Sequence, residues 1–204
     1  SSQCIELAYH TKSNMLVFTQ LNDHPQLTLY FLETGQSTVY SYDAVDTEFS
    51  PDGSKLDFFD RAANQVVILN LENERVITAD SQEGLTGGWS SDGRFMLYGI
   101  QDFWGGLPGV NIYVLDAESG ESQMVLESGG QEVEYCHPQF LGSREQIVTN
   151  VHDRTSGFTR QIWIFDLMGE LDRQITTDFI YDNSSPQINS DHSKLVFQRF
   201  APAQ

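Results

Sequence analysis

One pattern of apolar and polar positions returns along most of the chain. The segment Phe49-Ser-Pro-Asp-Gly-Ser-Lys-Leu56 reads as a strand, a tight polar turn and a second strand, and it recurs forty residues later as Trp89-Ser-Ser-Asp-Gly-Arg-Phe-Met96. Looser copies begin at Tyr9, Phe140 and Ile188. Asp suits the turn because it accepts hydrogen bonds from nearby backbone amides, and Gly adopts the positive φ that closes a hairpin. The pattern therefore predicts five β-hairpins.

A second apolar segment follows each of the first four hairpins. It is rich in β-branched and aromatic residues, and a further short strand follows it. The apolar segments are 27–35, 65–73, 111–120 and 161–169, and the short strands lie near 37–42, 75–78, 123–126 and 173–176. Each full repeat thus predicts four antiparallel strands. No stretch sustains the 3.6-residue apolar period of a helix.

The repeat length predicts the fold class. Four-stranded units that repeat every 40 to 51 residues are typical of a β-propeller. We expect an all-β propeller of four-stranded antiparallel blades, within one domain or propeller segment covering 1–204. The blades are expected at about 4–42, 43–79, 83–127 and 131–177, with a partial fifth at 181–200. Four blades and two further strands do not close a ring, so either further blades or a second chain would complete it.

The hairpins also carry a resemblance. The copies at Phe49–Leu56 and Trp89–Arg94, with strands such as Ile112–Asp116 and Ile162–Asp166, resemble the WD40-like repeat of TolB-type propellers. The resemblance implies a bacterial, extracytoplasmic setting, either periplasmic or secreted. Such repeats occur in TolB, in propellers of prolyl-oligopeptidase-type enzymes, in some pectin-degrading lyases and in sensory parts of regulators. The resemblance therefore implies a fold and leaves the activity open.

Charge and composition exclude several classes of partner. The chain has 29 Asp and Glu against 11 Lys and Arg, a net charge of −18, which repels a phosphate backbone or an anionic membrane. No apolar run is long enough to cross a bilayer. The two cysteines, Cys4 and Cys136, form either one disulfide or two thiols.

Enzyme signatures are missing from the sequence. It contains no G-x-S-x-G elbow, Walker loop, H-E-x-x-H or paired C-x-x-C. The adjacent Cys136 and His137 are interpreted as core packing rather than as a catalytic dyad, and Asp52, Asp92 and Asp191 as turn-formers. We therefore expect no catalytic residue and no cofactor.

The candidate binding face consists of the longer connections, which a propeller gathers at one end. Phe103 and Trp104 lie in a Gly- and Pro-rich segment between Ile100 and Val110, predicted as a loop whose aromatic rings either anchor a partner or plug the channel mouth. In the predicted loop 150–161, His152, Asp153 and Arg154 either bind a carboxylate or form an ion pair that holds the loop. Further candidates on this face are Asp23, His24, Asp60, Arg61, Tyr181 and Asp182. Their carboxylates raise the alternative of calcium, although no run has the spacing of a calcium loop.

These patterns favour a non-catalytic TolB-like propeller that recognises a protein, a small ligand or a glycan through its long-loop face. One alternative is an enzyme, or the accessory propeller of a polysaccharide lyase or peptidase, with a site at the channel mouth. A second alternative is the sensory domain of a membrane-bound regulator.

Overall fold

The computed structural model describes residues 3–21, 25–81, 85–104, 107–128, 133–142, 146–153, 159–178, 180–189 and 194–201. Within these ranges all regular structure is β-strand, and every strand pairing is antiparallel. No helix in the described part of the chain could cross a membrane. The chain divides into two compact units, Ser1–Thr86 and Gly87–Gln204.

The first unit contains two four-stranded sheets, each with its strands in chain order. The first sheet consists of β1 (Gln3–His10), β2 (Met15–Leu21), β3 (Gln26–Phe31) and β4 (Gln36–Tyr40). The second sheet consists of β5 (Ala44–Phe49), β6 (Lys55–Asp60), β7 (Gln65–Asn70) and β8 (Val76–Asp80). Apolar side chains of both sheets pack into one core, whose largest fully buried members are Leu27, Leu29, Leu56 and Phe58.

The second unit contains two further four-stranded sheets and a two-stranded one. The strands of the third sheet are β9 (Leu85–Trp89), β10 (Phe95–Trp104), β11 (Leu107–Asp116) and β12 (Ser122–Leu126). The fourth sheet has β13 (Val133–Leu141), β14 (Gln146–Asp153), β15 (Gln161–Asp166) and β16 (Leu171–Gln174). The last sheet pairs β17 (Asp182–Ile188) with β18 (Leu195–Phe200).

Both faces of the fourth sheet are packed. One face joins residues such as Tyr135 and Phe140 to Leu97 and Ile112 of the third sheet. The other face joins Val148, Ile162 and Ile164 to Ile188, Leu195 and Phe197 of the last sheet. A sheet packed on both faces needs apolar residues at successive strand positions, which explains the continuous apolar runs in the sequence.

The Asp–Gly turns are built as their residue types predict. Oδ1 of Asp52 accepts hydrogen bonds from Ser54 N at 3.0 Å and from Ser50 Oγ at 2.7 Å, and Gly53 has a φ of 74°. In the next copy, Oδ1 of Asp92 accepts from Ser90 Oγ at 2.7 Å. These contacts confirm Asp52 and Asp92 as turn-formers, whereas Asp191 lies outside the described residues.

A bulge recurs in the first strand of several sheets. Asp46, His137 and Ser185 have positive φ values of 53°, 52° and 52°, and the register with the next strand shifts at each of them. One extra residue at such a shift defines a β-bulge, which bends the strand. His137 is exposed at its bulge, so its interpretation as core packing is wrong, whereas its neighbour Cys136 is half-buried.

Two segments predicted as loops are strands. Residues 101–104 and 107–110 extend β10 and β11, with Phe103 opposite Pro108 and Trp104 opposite Leu107. Residues 150–153 complete β14, where His152 lies opposite Glu134. Gly and Pro suggested a loop between Ile100 and Val110, but proline is tolerated where no neighbouring strand needs its missing N–H.

Candidate functional site

The loop end of the second unit is defined here as the end at which β10 and β14 finish and β11, β13, β15 and β17 begin. Val110 of β11 packs there in one core with Tyr135 of β13 and Val151 of β14. The ends of the third and fourth sheets are therefore close together. Burial raises the pKa of Tyr135, which keeps its phenol neutral at this position.

A two-stranded arm extends from the loop end. The β11–β12 pairing runs from Leu115↔Ser122 only as far as Ile112↔Leu126. The pairs between β10 and β11 continue from Ile100↔Asn111 to Trp104↔Leu107, past the end of β12. This β10–β11 arm therefore extends beyond the four-stranded part of its sheet and has two aromatic residues, Phe103 and Trp104, in its last two pairs.

Four polar side chains form a row along the neighbouring strands β13 and β14. Glu134 lies opposite His152, and Cys136 lies opposite Asn150. Because side chains alternate along a strand, these four share one face, the face on which Val148 packs toward β17 and β18. We call them the β13–β14 polar row.

Glu134 is contacted by two members of this row. Its Oε2 atom lies 3.4 Å from Nδ1 of His152, and the thiol of Cys136 donates to its Oε1 atom at 3.4 Å. The side chains of His152 and Glu134 are 32% and 21% exposed. The thiol and the imidazole thus contact the same carboxylate.

Asn150 is the deepest polar member of the row. The residue is 1% exposed, and its buried Oδ1 atom has no hydrogen-bond partner among the described residues. A buried acceptor left without a donor costs roughly 1–3 kcal/mol. The row therefore combines a partly exposed carboxylate with a buried amide oxygen.

The start of β17 is tied to the connection that precedes β15. Oδ1 of Asp182 accepts a hydrogen bond from Arg160 N at 2.9 Å, and its Oδ2 atom lies 3.6 Å from Arg160 Nη1. The guanidinium of Arg199 lies 5.1 Å from the ring centre of Tyr181 and donates from Nε to Asn183 Oδ1 at 2.9 Å. Tyr181 and Asp182 therefore hold the loop end in place through arginine contacts.

Asn183 and Gln161 connect these contacts inside the sheet. Asn183 is fully buried and donates to Tyr181 O at 3.1 Å, while Gln161 donates to the same oxygen at 3.1 Å. The Tyr181 carbonyl and the Arg199 side chain thus supply hydrogen-bond partners to these buried amides and connect the start of β17 to β15.

In the first unit, Asp60 and Arg61 have structural partners. Asp60 is 7% exposed and accepts a hydrogen bond from Ala62 N at 3.1 Å, which closes the turn after β6. Arg61 forms an ion pair with Asp43, just before β5, and its backbone N donates to Asp43 O at 3.0 Å. The pair joins two neighbouring connections of this unit.

Three predicted site residues, Asp23, His24 and Arg154, lie outside the described residues, as do the side chains of Phe103 and Trp104. Of the remaining candidates, the structure brings His152 and Asp153 to the end of β14 and Tyr181 and Asp182 to the start of β17. Within the described ranges, no group of three His, Cys, Asp or Glu side chains is arranged to hold a metal ion.

Sequence reasoning missed Glu134, Asn150, Asn183 and Arg199. Glu134 and Asn150 belong to the site only because pairing between β13 and β14 places them beside Cys136 and His152. The two-residue spacing of Glu134 and Cys136 was a usable signal, since residues two apart in a strand share a face.

The comparisons with known proteins agree on the fold. No family model and no curated protein matches the chain. Several solved structures do match the chain. TolB from Acinetobacter baumannii matches with a TM-score of 0.62 at 16% identity, covering 98% of this chain and 52% of that one. An oligogalacturonate lyase from Vibrio parahaemolyticus gives 0.73 at 15%, covering 98% and 61%. The β-propeller domain of the trilobed protease from Pyrococcus furiosus gives 0.74 at 14%, covering 98% and 66%.

This chain therefore spans between 52% and 66% of the length of these three chains. At identities of 14% to 16% the likeness extends to the fold and not to the activity. The repeated antiparallel four-stranded sheets, the Asp–Gly turns and the structural matches lead to the same result: this chain has the fold of the TolB-like β-propellers.

Proposed function

We propose that the chain is a non-catalytic recognition module that binds a protein, or a small or glycan ligand, at the loop end of its second unit. The observation that carries the proposal is the β10–β11 arm, which continues past β12 to the pair Trp104↔Leu107. Aromatic residues supply large contact areas at little entropic cost and are common anchors at interfaces.

A contact at the loop end supports a binding role rather than catalysis. The thiol of Cys136 donates to the Glu134 carboxylate, whereas reactive cysteines lie in electropositive surroundings. The proposed module is extracytoplasmic and works without calcium or another cofactor. Further blades, or a second chain, complete its propeller.

The test uses the full chain, immobilised and exposed to an extract of the source organism and to a glycan panel. Each retained molecule is then purified and its dissociation constant measured by calorimetry. We expect the double variant Phe103→Ala/Trp104→Ala to weaken binding at least tenfold, about 1.4 kcal/mol. Met168→Ala, at an exposed turn after β15, is the control and should bind like the wild type.

Equal binding by the arm variant and the wild type would contradict the proposal. So would turnover of a glycan or peptide by the purified chain, since turnover favours the alternative of an enzyme or an accessory propeller. The sensory-domain alternative differs only in what the propeller is attached to.

A further inference from the structure

We infer that the β13–β14 polar row is a subsite for a primary ammonium group, presented by the bound partner as a lysine side chain or an N-terminal amine. This inference deepens the proposed function and rests on it for the identity of the partner. It starts from Asn150, whose buried Oδ1 atom receives no hydrogen bond from the part of the chain that the structure describes.

The chemistry of the row selects the ligand. Asn150 Oδ1 and the Glu134 carboxylate are acceptors on one face, two strand positions apart. A group that satisfies both must donate at least two hydrogen bonds and is favoured if it carries positive charge. An ammonium group offers three N–H donors and one charge on a compact nitrogen. An anion or a hydrogen-bond acceptor would leave Asn150 unsatisfied and would be repelled by Glu134.

The existing contacts can give way to such a group. The imidazole of His152 contacts Glu134 at 3.4 Å, longer than the 2.7–2.9 Å typical of a charge-assisted N–H···O bond, and the thiol of Cys136 is a weak donor. Glu134, Cys136 and His152 are partly exposed, whereas Asn150 is buried. An ammonium group that enters between Glu134 and His152 exchanges long contacts for shorter ones and gives Asn150 its donor.

Long-range electrostatics favour the same ligand. The net charge of −18 attracts cations to the chain and raises their association rate, an effect that salt reduces. The loop end also carries the acidic residues Asp153, at the end of β14, and Asp182, at the start of β17, although Asp182 is paired with Arg160. The row thus lies in an acidic setting at the loop end, from which the arm that is proposed to bind the partner also extends.

The test is a titration of the isotope-labelled full chain by nuclear magnetic resonance. The probe is n-butylammonium, compared with n-butanol, which lacks the charge, and tetramethylammonium, which lacks the N–H donors. We expect n-butylammonium to shift the side-chain amide signals of Asn150 and the ring signals of His152 in a saturable manner. We expect the dissociation constant to rise at least tenfold in Glu134→Gln, which keeps the size of the side chain.

Asn150→Leu is expected to abolish saturable binding. Because a change at a buried position can prevent folding, Glu134→Gln decides the test if Asn150→Leu does not fold. Glu127→Gln, at an exposed carboxylate of the same unit, is the control and should bind the probe like the wild type. Equal shifts by tetramethylammonium, or no shift at Asn150 and His152, would overturn the inference and leave a buried water as the donor to Asn150.

Two further measurements identify the source of the ammonium group and distinguish a failure of the subsite from a failure of the proposed function. Lysine-containing peptides with an acetylated N-terminus should compete with the probe if a side chain is bound, and peptides that contain no lysine but have a free N-terminus if an amine terminus is bound. Competition by neither peptide overturns the assignment to a protein partner. If n-butylammonium causes no shift but Phe103→Ala/Trp104→Ala weakens binding of the partner, the subsite alone is refuted. If n-butylammonium binds saturably but the double variant binds the partner like the wild type, the proposed function alone is refuted.

Discussion

Gly53 lies against the imidazole ring of His10. A Cβ atom on Gly53 would stand 2.5 Å from Nδ1 and 2.6 Å from Cε1 of that ring. Nε2 of the same imidazole lies 3.2 Å from Pro51 O, and its Nδ1 atom lies 2.6 Å from Ser13 Oγ. The first turn of one sheet therefore packs on the first turn of the next within the first unit.

This packing predicts the effect of Gly53→Ala. Gly53 has a φ of 74°, so alanine would adopt a strained backbone conformation and would also collide with His10. Gly142 is the matched control, since its φ is 73° and its Cβ position has no neighbour within 4 Å among the described atoms. We expect Gly142→Ala to lower the free energy of unfolding by about 1–2 kcal/mol and Gly53→Ala by roughly 1–3 kcal/mol more.

Urea denaturation of the two variants measures this difference. Equal losses of stability would show that the imidazole of His10 moves aside at no cost, and would contradict tight packing between the turns at His10 and Gly53.

The positive φ of Glu74 predicts that glycine at this position stabilises the protein. Glu74 has a φ of 58° in the turn between β7 and β8, a conformation that costs an L-residue about 1–2 kcal/mol. We expect Glu74→Gly to raise the free energy of unfolding by about 0.5–1 kcal/mol after allowing for the greater freedom of glycine in the unfolded chain. Glu72→Gly removes the same charge from the same turn, where φ is negative, and should not stabilise. A gain in both variants would assign the effect to charge rather than to the backbone.

The lowered pKa of Asp116 predicts that its contribution to stability is lost in acid. Burial tends to raise the pKa of Asp116, but a hydrogen bond from Arg94 Nη2 at 2.8 Å and bonds from the backbone N–H groups of Glu118 and Ser119 outweigh it, so the pKa is lowered. A pKa below that of the unfolded chain contributes stability at neutral pH, and this contribution is lost as the pH falls through the folded value. The stability difference between wild type and Asp116→Asn should therefore be largest at neutral pH and shrink in acid.

The control for this measurement is Asp172→Asn, an exposed position in contact with Gln146. Its stability difference from the wild type should depend less on pH. A difference for Asp116→Asn that stays constant from neutral pH to acid would argue against the Arg94 contact as a source of stability.

The raised pKa of Glu48 predicts that its contribution to stability is lost toward alkaline pH, opposite to that of Asp116. Part of the residue is exposed, yet protein atoms displace water from its carboxyl group and raise the pKa of Glu48 to about 7. It lies opposite Asp57, which is fully buried. A folded pKa above the ordinary value of 4.5 means that the stabilising contribution is fully present below that value and lost as the pH rises through about 7. Glu48→Gln should stay equally stable across this range.

Thermal or urea unfolding at mildly acidic and mildly alkaline pH measures the effect. Glu33→Gln, at an exposed position in the turn before β4, should retain the wild-type decline in stability. A decline of the same size in Glu48→Gln would show that another group causes it.

The turns of the fold could be predicted from the sequence, whereas the contacts of the candidate site could not. The turns at Asp52 and Asp92 were predictable because the Asp and Gly side chains act on backbone atoms a few residues away. The β10–β11 arm was not predictable, since Gly105, Gly106 and Pro108 are typical of loops and only the pairing of the two strands reveals the arm. His152 was identified by its residue type, but its partner Glu134 lies eighteen positions earlier in the chain.

The amino-acid order alone determined the repeated strands, the tight turns and the acidic surface of this protein, because each of these depends on residue type and on spacing within a few positions. Strand register and sheet packing decided the rest. They placed Glu134 opposite His152, on the same face as the buried Asn150, and they placed Arg199 against Tyr181. Such pairs join residues that are distant in the chain, and their meeting depends on which strand positions oppose each other, a relation that local sequence patterns do not contain.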